Sequence, residues 1–202
     1  MSIKTAHTDH PVHTLVATRW SPYAWADRPV DTDDLLALFE AARWAASSYN
    51  EQPWRWIVAT RDDAGGFAQL LSTLVETNQA WAKHAPVLAI GVTITTFSRN
   101  GRENRAAQHD LGLAAGNLSL EATARGLAVH QMIGIEPERV RELYELPDEA
   151  LPLTGLAIGY AGEAAALPEG LRERDLAARQ RKSLSELVFG GRWGRRAAFV
   201  PR

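Results

Sequence analysis

Four short segments of this 202-residue chain carry side chains suited to holding a small polar molecule. The first is Arg19-Trp20-Ser21. A guanidinium and a hydroxyl two residues apart, where a helix ends, can both reach one phosphate: the guanidinium in a bidentate charge-assisted contact, the hydroxyl as a further donor. The second is Ser47-Ser48-Tyr49-Asn50-Glu51-Gln52-Pro53-Trp54, whose Ser, Asn and Gln side chains offer donors and acceptors together, as the edge of a heterocycle requires. The third, Arg179-Gln180-Arg181-Lys182, puts three cations in four residues, either a second clamp on a phosphate or a solvated helix face. The fourth is His130-Gln131-Met132-Ile133-Gly134, at the carboxyl end of an apolar run that reads as a strand. Ligands of sheet proteins favour strand ends, and Gly134 permits close backbone approach. His130 by itself reads as a core or edge histidine rather than a catalyst. His109 and Asp110 are adjacent on a helix and point apart, so they form no acid–base pair. Composition alone gives each segment a plainer reading, as a surface Arg beside a turn Ser, a polar helix-to-strand turn and a solvated cationic face.

Whole classes of chemistry are missing. No GxGxxG follows the first strand and no phosphate-binding P-loop is present. No histidine pair has metal-ligand spacing, and no GxSxG elbow occurs. The chain has no cysteine, which removes disulfides, thiolate metal sites and cysteine nucleophiles together. A net charge of −2 gives no general attraction for nucleic acid or membrane, and the C-terminal arginines alone do not make a nucleic-acid binder. The N-terminus, MSIKTAHTDHP, lacks the apolar core of a signal peptide, and no stretch reaches the length of a membrane span. A cytoplasmic location is the expectation. With 46% hydrophobic and 23% charged residues, the chain is expected to form one domain over residues 1–202 with a sizeable core. Residues 1–9 are expected to be flexible, and residues 189–202 to form an extended C-terminal extension. Seven tryptophans are many for this length and suit interfaces or pockets.

The elements that must position these segments follow from periodicity. Residues 10–18 are short and helical in spacing, and Pro22 ends that piece. Asp31 or Thr32 caps a second helix with a broad apolar face through Leu35, Leu38, Phe39 and Ala42, running out near residue 46. Residues 54–60 alternate as a strand. A helix starts near Phe67, and residues 78–86 read as a connection carrying Trp81. Residues 87–95 are a near-continuous apolar run, the mark of a buried strand. A long helix spans about 103–125 and stops at Gly126; its small residues, Gly112 and Gly116 among them, allow another backbone to approach. Residues 127–133 and 153–160 are strands. Pro137 opens a short helix between them, and residues 176–188 form a last amphipathic piece. The class is α+β or α/β, a central sheet flanked by helices.

Taken together, the segments resemble the nitroreductase family. Its members carry an Arg-x-Ser segment after a first helix, as in Arg19-Trp20-Ser21. Some thirty residues later comes a Ser-Ser-x-Asn-x-Gln-Pro-Trp block, complete here from Ser47 to Trp54 and the most specific signal in the chain. Asn78 before Ala85-Pro86-Val87, the long helix with Asp110, Gly112 and Asn117, the pair Gly126-Leu127, the strand Leu156-Ala157-Ile158-Gly159-Tyr160, and Arg181-Lys182 with Leu184, Glu186, Leu187 and Val188 match the family in order. The likeness covers residues 10–196.

The resemblance implies an α+β, three-layer sandwich with a central, mostly antiparallel sheet, and a homodimer whose subunits exchange terminal extensions around two FMN molecules. By position, Arg19, Trp20 and Ser21 would hold the phosphate end from one side and Arg179 and Arg181 from the other. Asn78 would contact the isoalloxazine or ribityl. Gln131, Met132, Ile133 and Gly134 would flank the ring, with the amides of Ile133 and Gly134 near flavin N5. Ser47, Ser48, Asn50 and Gln52 would reach the partner's flavin. The implied activity moves hydride from NAD(P)H through flavin N5 to a small electron-poor acceptor such as a nitroaromatic or quinone, with no side-chain catalyst and no metal. The alternatives are a specialised superfamily reaction (flavin cleavage, dehalogenation or dehydrogenation of a bound substrate) and a non-catalytic flavin-binding module. Two departures stand out: Trp20 and Tyr23 occupy positions where many members are basic. Residues 96–104 are also short where larger relatives roof the pocket, leaving it more open or roofed by Trp25, Trp44, Phe97 or Trp193.

Overall fold

A computed structural model describes residues 4–201. Its sheet has four antiparallel strands in the order β1-β2-β4-β3. These are β1 (Trp54–Thr60), β2 (Val87–Ile94), β3 (Ala128–Met132) and β4 (Ala150–Gly159). The central strands β2 and β4 are covered on both faces, and the two-residue period of a strand splits their side chains between two cores. Leu88, Ile90, Val92 and Ala157 face one core, with Phe67, Leu70, Trp81 and Val140. Val87, Ala89, Leu156 and Ile158 face the other, with Leu38, Ala42, Leu111, Ala114 and Leu118. This double coverage explains why β2 reads as an unbroken apolar run although the sheet is antiparallel.

Helices α2 (Thr32–Arg43) and α5 (Ala107–Ala124) cover one face. Helices α3 (Ala64–Leu71), α4 (Glu76–Ala82) and α6 (Pro137–Leu143) cover the other. Helix α1 (Thr14–Thr18) precedes the Arg-x-Ser segment, and α7 (Glu169–Leu176) follows the sheet. Asp31 is the N-cap position of α2, but its side chain makes no capping bond; Asp33 and Asp34 supply the negative first turn. Pro137 opens α6 at its first turn, where the missing N–H costs nothing.

The structure departs from the sequence reading in several places. Residues 76–82 form a helix, α4, rather than a connection. Seven residues are too few to show a helical period in sequence, and burial of Trp81 and Ala82 fixes the turn. The amphipathic piece expected over 176–188 is instead α7 ending at Leu176, an irregular stretch, and a 3₁₀ turn at Leu184–Glu186. The Gly-rich end is not an extended tail: Phe189 bridges Arg196, and the Gly190 amide donates to the Arg195 carbonyl at 2.9 Å. Lys4 is buried and the Ala6 amide donates to the Ala17 carbonyl at 2.8 Å, contacts that leave the expected flexibility of residues 1–9 untested; Met1, Ser2 and Ile3 lie outside the described residues, as does Arg202. No helix among the described residues is long and apolar enough to cross a membrane.

Candidate functional site

The Arg-x-Ser segment leaves α1 in an extended conformation, with Arg19 at φ −59°, ψ 127°. Arg19 Nη1 donates to Ser21 Oγ at 3.3 Å, so both side chains face the same space. Across from them, Arg179 reaches over the N-terminal segment and donates through Nη1 to the carbonyls of Lys4 (3.1 Å) and Ala17 (2.6 Å). Lys4 in turn donates through Nζ to the carbonyls of Arg174 (3.3 Å) and Ala177 (2.8 Å) at the end of α7, where a cation complements the helix terminus. Segments more than 150 residues apart are thereby tied together. They enclose a depression of about 230 Å³ lined by Lys4, Arg19, Trp20, Ser21, Arg174, Arg179 and Arg181, with Ala177 and Ala178.

Among the described residues no carboxylate lines this depression. The Arg19 guanidinium sits below its ordinary pKa, first through burial and then through the charge of Arg181. Arg179 is lowered by burial, Arg19 and Arg181 in that order. Lys4 is lowered by burial and by Arg179, against an opposing pull from Asp175. Cations that repel one another at short range form a site that an anion stabilises. The buried carboxylate of Asp175 lies behind it and accepts the Tyr23 amide at 2.8 Å. Sequence reasoning missed Lys4, Arg174 and Asp175. Lys4 lies in the piece read as flexible, and the other two lie on a helix whose register only the fold defines.

A second cluster forms where β3 ends. Asn78, on α4, donates through Nδ2 to the Gly134 carbonyl at 3.0 Å, and the Val75 amide donates to the same oxygen at 3.1 Å. A Cβ at Gly134 would stand 2.4 Å from Asn78 Nδ2 and 2.8 Å from Val75 Cγ2, so glycine is required here for space. The Ile133 and Gly134 amides donate to no backbone carbonyl among the described residues, and Ile133 is exposed. Met132 is buried in the core, so only its backbone can face a ligand. Gln131 points toward α5, donating through Nε2 to the Ala115 carbonyl (3.2 Å) and Ser119 Oγ (2.9 Å).

His130 joins the two clusters. Its Nδ1 lies 2.9 Å from the Pro22 carbonyl, and its ring packs on Trp81 (4.4 Å between centroids) and edge-on to Tyr23 (4.7 Å). Burial holds its pKa below the ordinary histidine value. It is a structural histidine that fastens the Arg-x-Ser segment to β3. Tyr23 is a packing residue between Trp81 and His130.

Ser47, Ser48, Asn50 and Gln52 lie apart from both clusters, in a tight polar turn. The Ser48 amide donates to Asp110 Oδ2 at 3.0 Å, the Gln52 amide to Ser47 Oγ at 3.0 Å, and Gln52 Nε2 to the Asn50 carbonyl at 3.2 Å. Tyr49, Asn50 and Gln52 all have positive φ, at 53°, 56° and 52°. Three non-glycine residues held in the left-handed region within one turn cost of order 1 kcal/mol or more each, and such strain concentrates at functional sites. Asp110, itself buried, is the anchor that holds the turn on α5. Of the aromatic residues considered as a roof, Trp25 is core. Trp44 and Trp193 are exposed, and Phe97 stacks edge-on with Tyr49. Among the described residues, no group of His, Asp and Glu is placed to hold a metal ion.

The profile of the nitroreductase family matches residues 16–160, well over half of the chain. The chain belongs to the nitroreductase family. A Thermus thermophilus protein named NADH dehydrogenase is 31% identical over 177 residues, covering 74% of this chain and 86% of that one. A solved structure described as an oxidoreductase containing FMN superposes with a TM-score of 0.89 at 33% identity, over 94% of this chain and 96% of that one. A nitroreductase family protein from Clostridium difficile 630 superposes with a TM-score of 0.69 at 26% identity, over 88% and 96% of the two chains. The α+β architecture expected from the sequence is therefore the nitroreductase fold.

Proposed function

We propose that this chain is an FMN-dependent oxidoreductase that passes hydride from NAD(P)H to an electron-poor acceptor such as a nitroaromatic or quinone. The observation that carries the reading is the convergence of Arg19, Ser21, Arg179 and Arg181 on one depression that no carboxylate lines among the described residues. Its donors fit a phosphate: guanidinium groups and a hydroxyl, with Arg19 and Arg179 lowered in pKa by burial first and by neighbouring arginine charge second. The Ile133 and Gly134 amides, which donate to no backbone carbonyl among the described residues, fit the edge of a flat ring at the end of β3.

Bound FMN supplies the two-electron relay between donor and acceptor. The chain's own residues do the rest. Arg19, Ser21, Arg179 and Arg181 hold the phosphate, with Lys4 and Arg174 adding charge from behind. Asn78 fixes the loop after β3 through the Gly134 carbonyl, leaving the amides of Ile133 and Gly134 to face the ring edge. His130 holds those two parts in register through the Pro22 carbonyl.

The Ser47, Ser48, Asn50 and Gln52 turn completes the site of a second copy in a homodimer. Two features support that assembly. A Cβ built at Gly112 or Gly116 meets nothing within 4 Å, and Leu113 between them is exposed, so α5 offers a flat apolar strip to a partner. Leu187, Trp193 and Phe199 are also exposed near the C-terminus, as arms wrapping a partner would be.

The test is anaerobic stopped-flow at the flavin band, with FMN-loaded protein mixed with NADH or NADPH. Rapid bleaching, reversed by a nitroaromatic or quinone, is the expected result. A bound flavin that stays oxidised with both donors would overturn the reductase reading. Failure to bind FMN would overturn the cofactor assignment.

A further inference from the structure

The short stretch after β2 is a hairpin with a built tip. Thr96 bridges Glu103, and the amides of Phe97 and Gly101 donate to the carbonyls of Arg102 and Phe97, each at 2.8 Å. Gly101 makes the turn at φ +67°, which glycine adopts without penalty. The hairpin docks on the strained polar turn at two points. The Ser98 amide donates to Glu51 Oε1 at 2.7 Å, and Phe97 meets Tyr49 edge-on, 5.8 Å between centroids.

Arg99 sits at this junction. Its guanidinium carbon is 4.0 Å from the Tyr49 ring centroid and 5.2 Å from that of Phe97. Both rings lie within cation–π range of the guanidinium, and Arg99 donates to no protein acceptor among the described residues. Among the described residues Arg99 takes part in none of the salt bridges. In the docked turn Glu51 accepts the Ser98 amide through Oε1, and Asp110 accepts the Ser48 amide through Oδ2. Tyr49 is 74% exposed although a bulky ring at positive φ is costly. The turn thus holds an aromatic ring outward beside an exposed cation that makes no hydrogen bond to protein among the described residues. An arginine ordered in advance binds an oxyanion without the entropy cost of fixing a free side chain.

We propose that Arg99, beside the rings of Tyr49 and Phe97, is a specificity-determining cation at the edge of the flavin site that the polar turn completes, where it takes a carboxylate, sulfonate or phosphate carried by one of the redox substrates. The proposal rests on the reading above, in which the turn carrying Asn50 and Gln52 edges a flavin site. The oxyanion belongs either to the acceptor or to the extra phosphate by which NADPH differs from NADH.

Steady-state kinetics of FMN-loaded wild type, R99Q and R99K separate these sources. With NADH as donor, R99Q is expected to lose about tenfold in kcat/KM for 4-nitrobenzoate and nothing for nitrobenzene. R99K, which keeps the charge without the planar fork, should fall between. If the oxyanion is the donor's, the loss follows NADPH against NADH with nitrobenzene as acceptor. Equal losses for every substrate, or none, overturn the proposal. Calorimetric titration of 4-nitrobenzoate and of NADP+, with and without FMN, reads the same preference without turnover. If wild type takes up no FMN or is not reduced, the functional reading fails. A wild-type-over-R99Q difference in the titrations would still uphold Arg99, and its absence would overturn it.

Discussion

Replacing Gly134 by alanine tests the loop after β3 with a single methyl group. The new Cβ would stand 2.4 Å from Asn78 Nδ2 and 2.8 Å from Val75 Cγ2, both well inside contact distance. Asn78 must swing away, which breaks its 3.0 Å bond to the Gly134 carbonyl. The lost bond costs about 1 kcal/mol, and overpacking against Val75 adds about 1–3 kcal/mol, so Gly134→Ala should destabilise the fold by about 2–4 kcal/mol. Each backbone amide displaced from the flavin edge should weaken FMN by about fivefold. Urea unfolding of the flavin-free protein gives the first number, and quenching of FMN fluorescence gives the second. Asn78→Ala provides the internal check. Alone it should cost about 1 kcal/mol, but in the double variant the contact with Nδ2 is gone, so the two changes should fall short of additivity by about 1 kcal/mol or more. Additivity within about 0.5 kcal/mol, or a Gly134→Ala protein as stable as wild type, would refute the packing argument.

Asp110→Ala leaves the Ser48 amide without its acceptor and should cost about 1–3 kcal/mol; amide hydrogen exchange should speed up across residues 47–52, and unchanged protection there would remove Asp110 as the anchor. Exchanging Arg181 for Met should weaken FMN but not riboflavin, and should flatten the salt dependence of FMN binding; equal loss for both ligands would place Arg181 away from the phosphate. His130 has a folded-state pKa depressed by burial. Its unfolded form therefore binds the extra proton first, so its contribution is present above about pH 6.5 and is lost as pH falls below that value. Urea midpoints at pH 5 and pH 7.5 should differ less in His130→Gln than in wild type, and an identical difference would exclude His130 as a source of acid sensitivity.

Strand β1 is read correctly to the residue at residues 54–60, and β2 to within one residue of its end, because period and apolar run are local properties. The polar block ending at Trp54 is legible for the same reason: its residues are consecutive, so their order alone marks the family. Helix α4 and the path after α7 are not legible, since both are fixed by burial of Trp81 and by bonds from Lys4 and Arg179 to distant carbonyls. The sequence by itself determined the donor types and the sheet-with-helices class. Only the tertiary structure decided that Lys4 and Arg174 join Arg19, Ser21, Arg179 and Arg181, that Asp110 anchors the polar turn, and that Arg99 lies against Tyr49. The physical reason is range. Backbone propensity acts over a few residues, whereas a charge cluster forms wherever packing of the cores brings remote segments together, and no local pattern encodes that meeting.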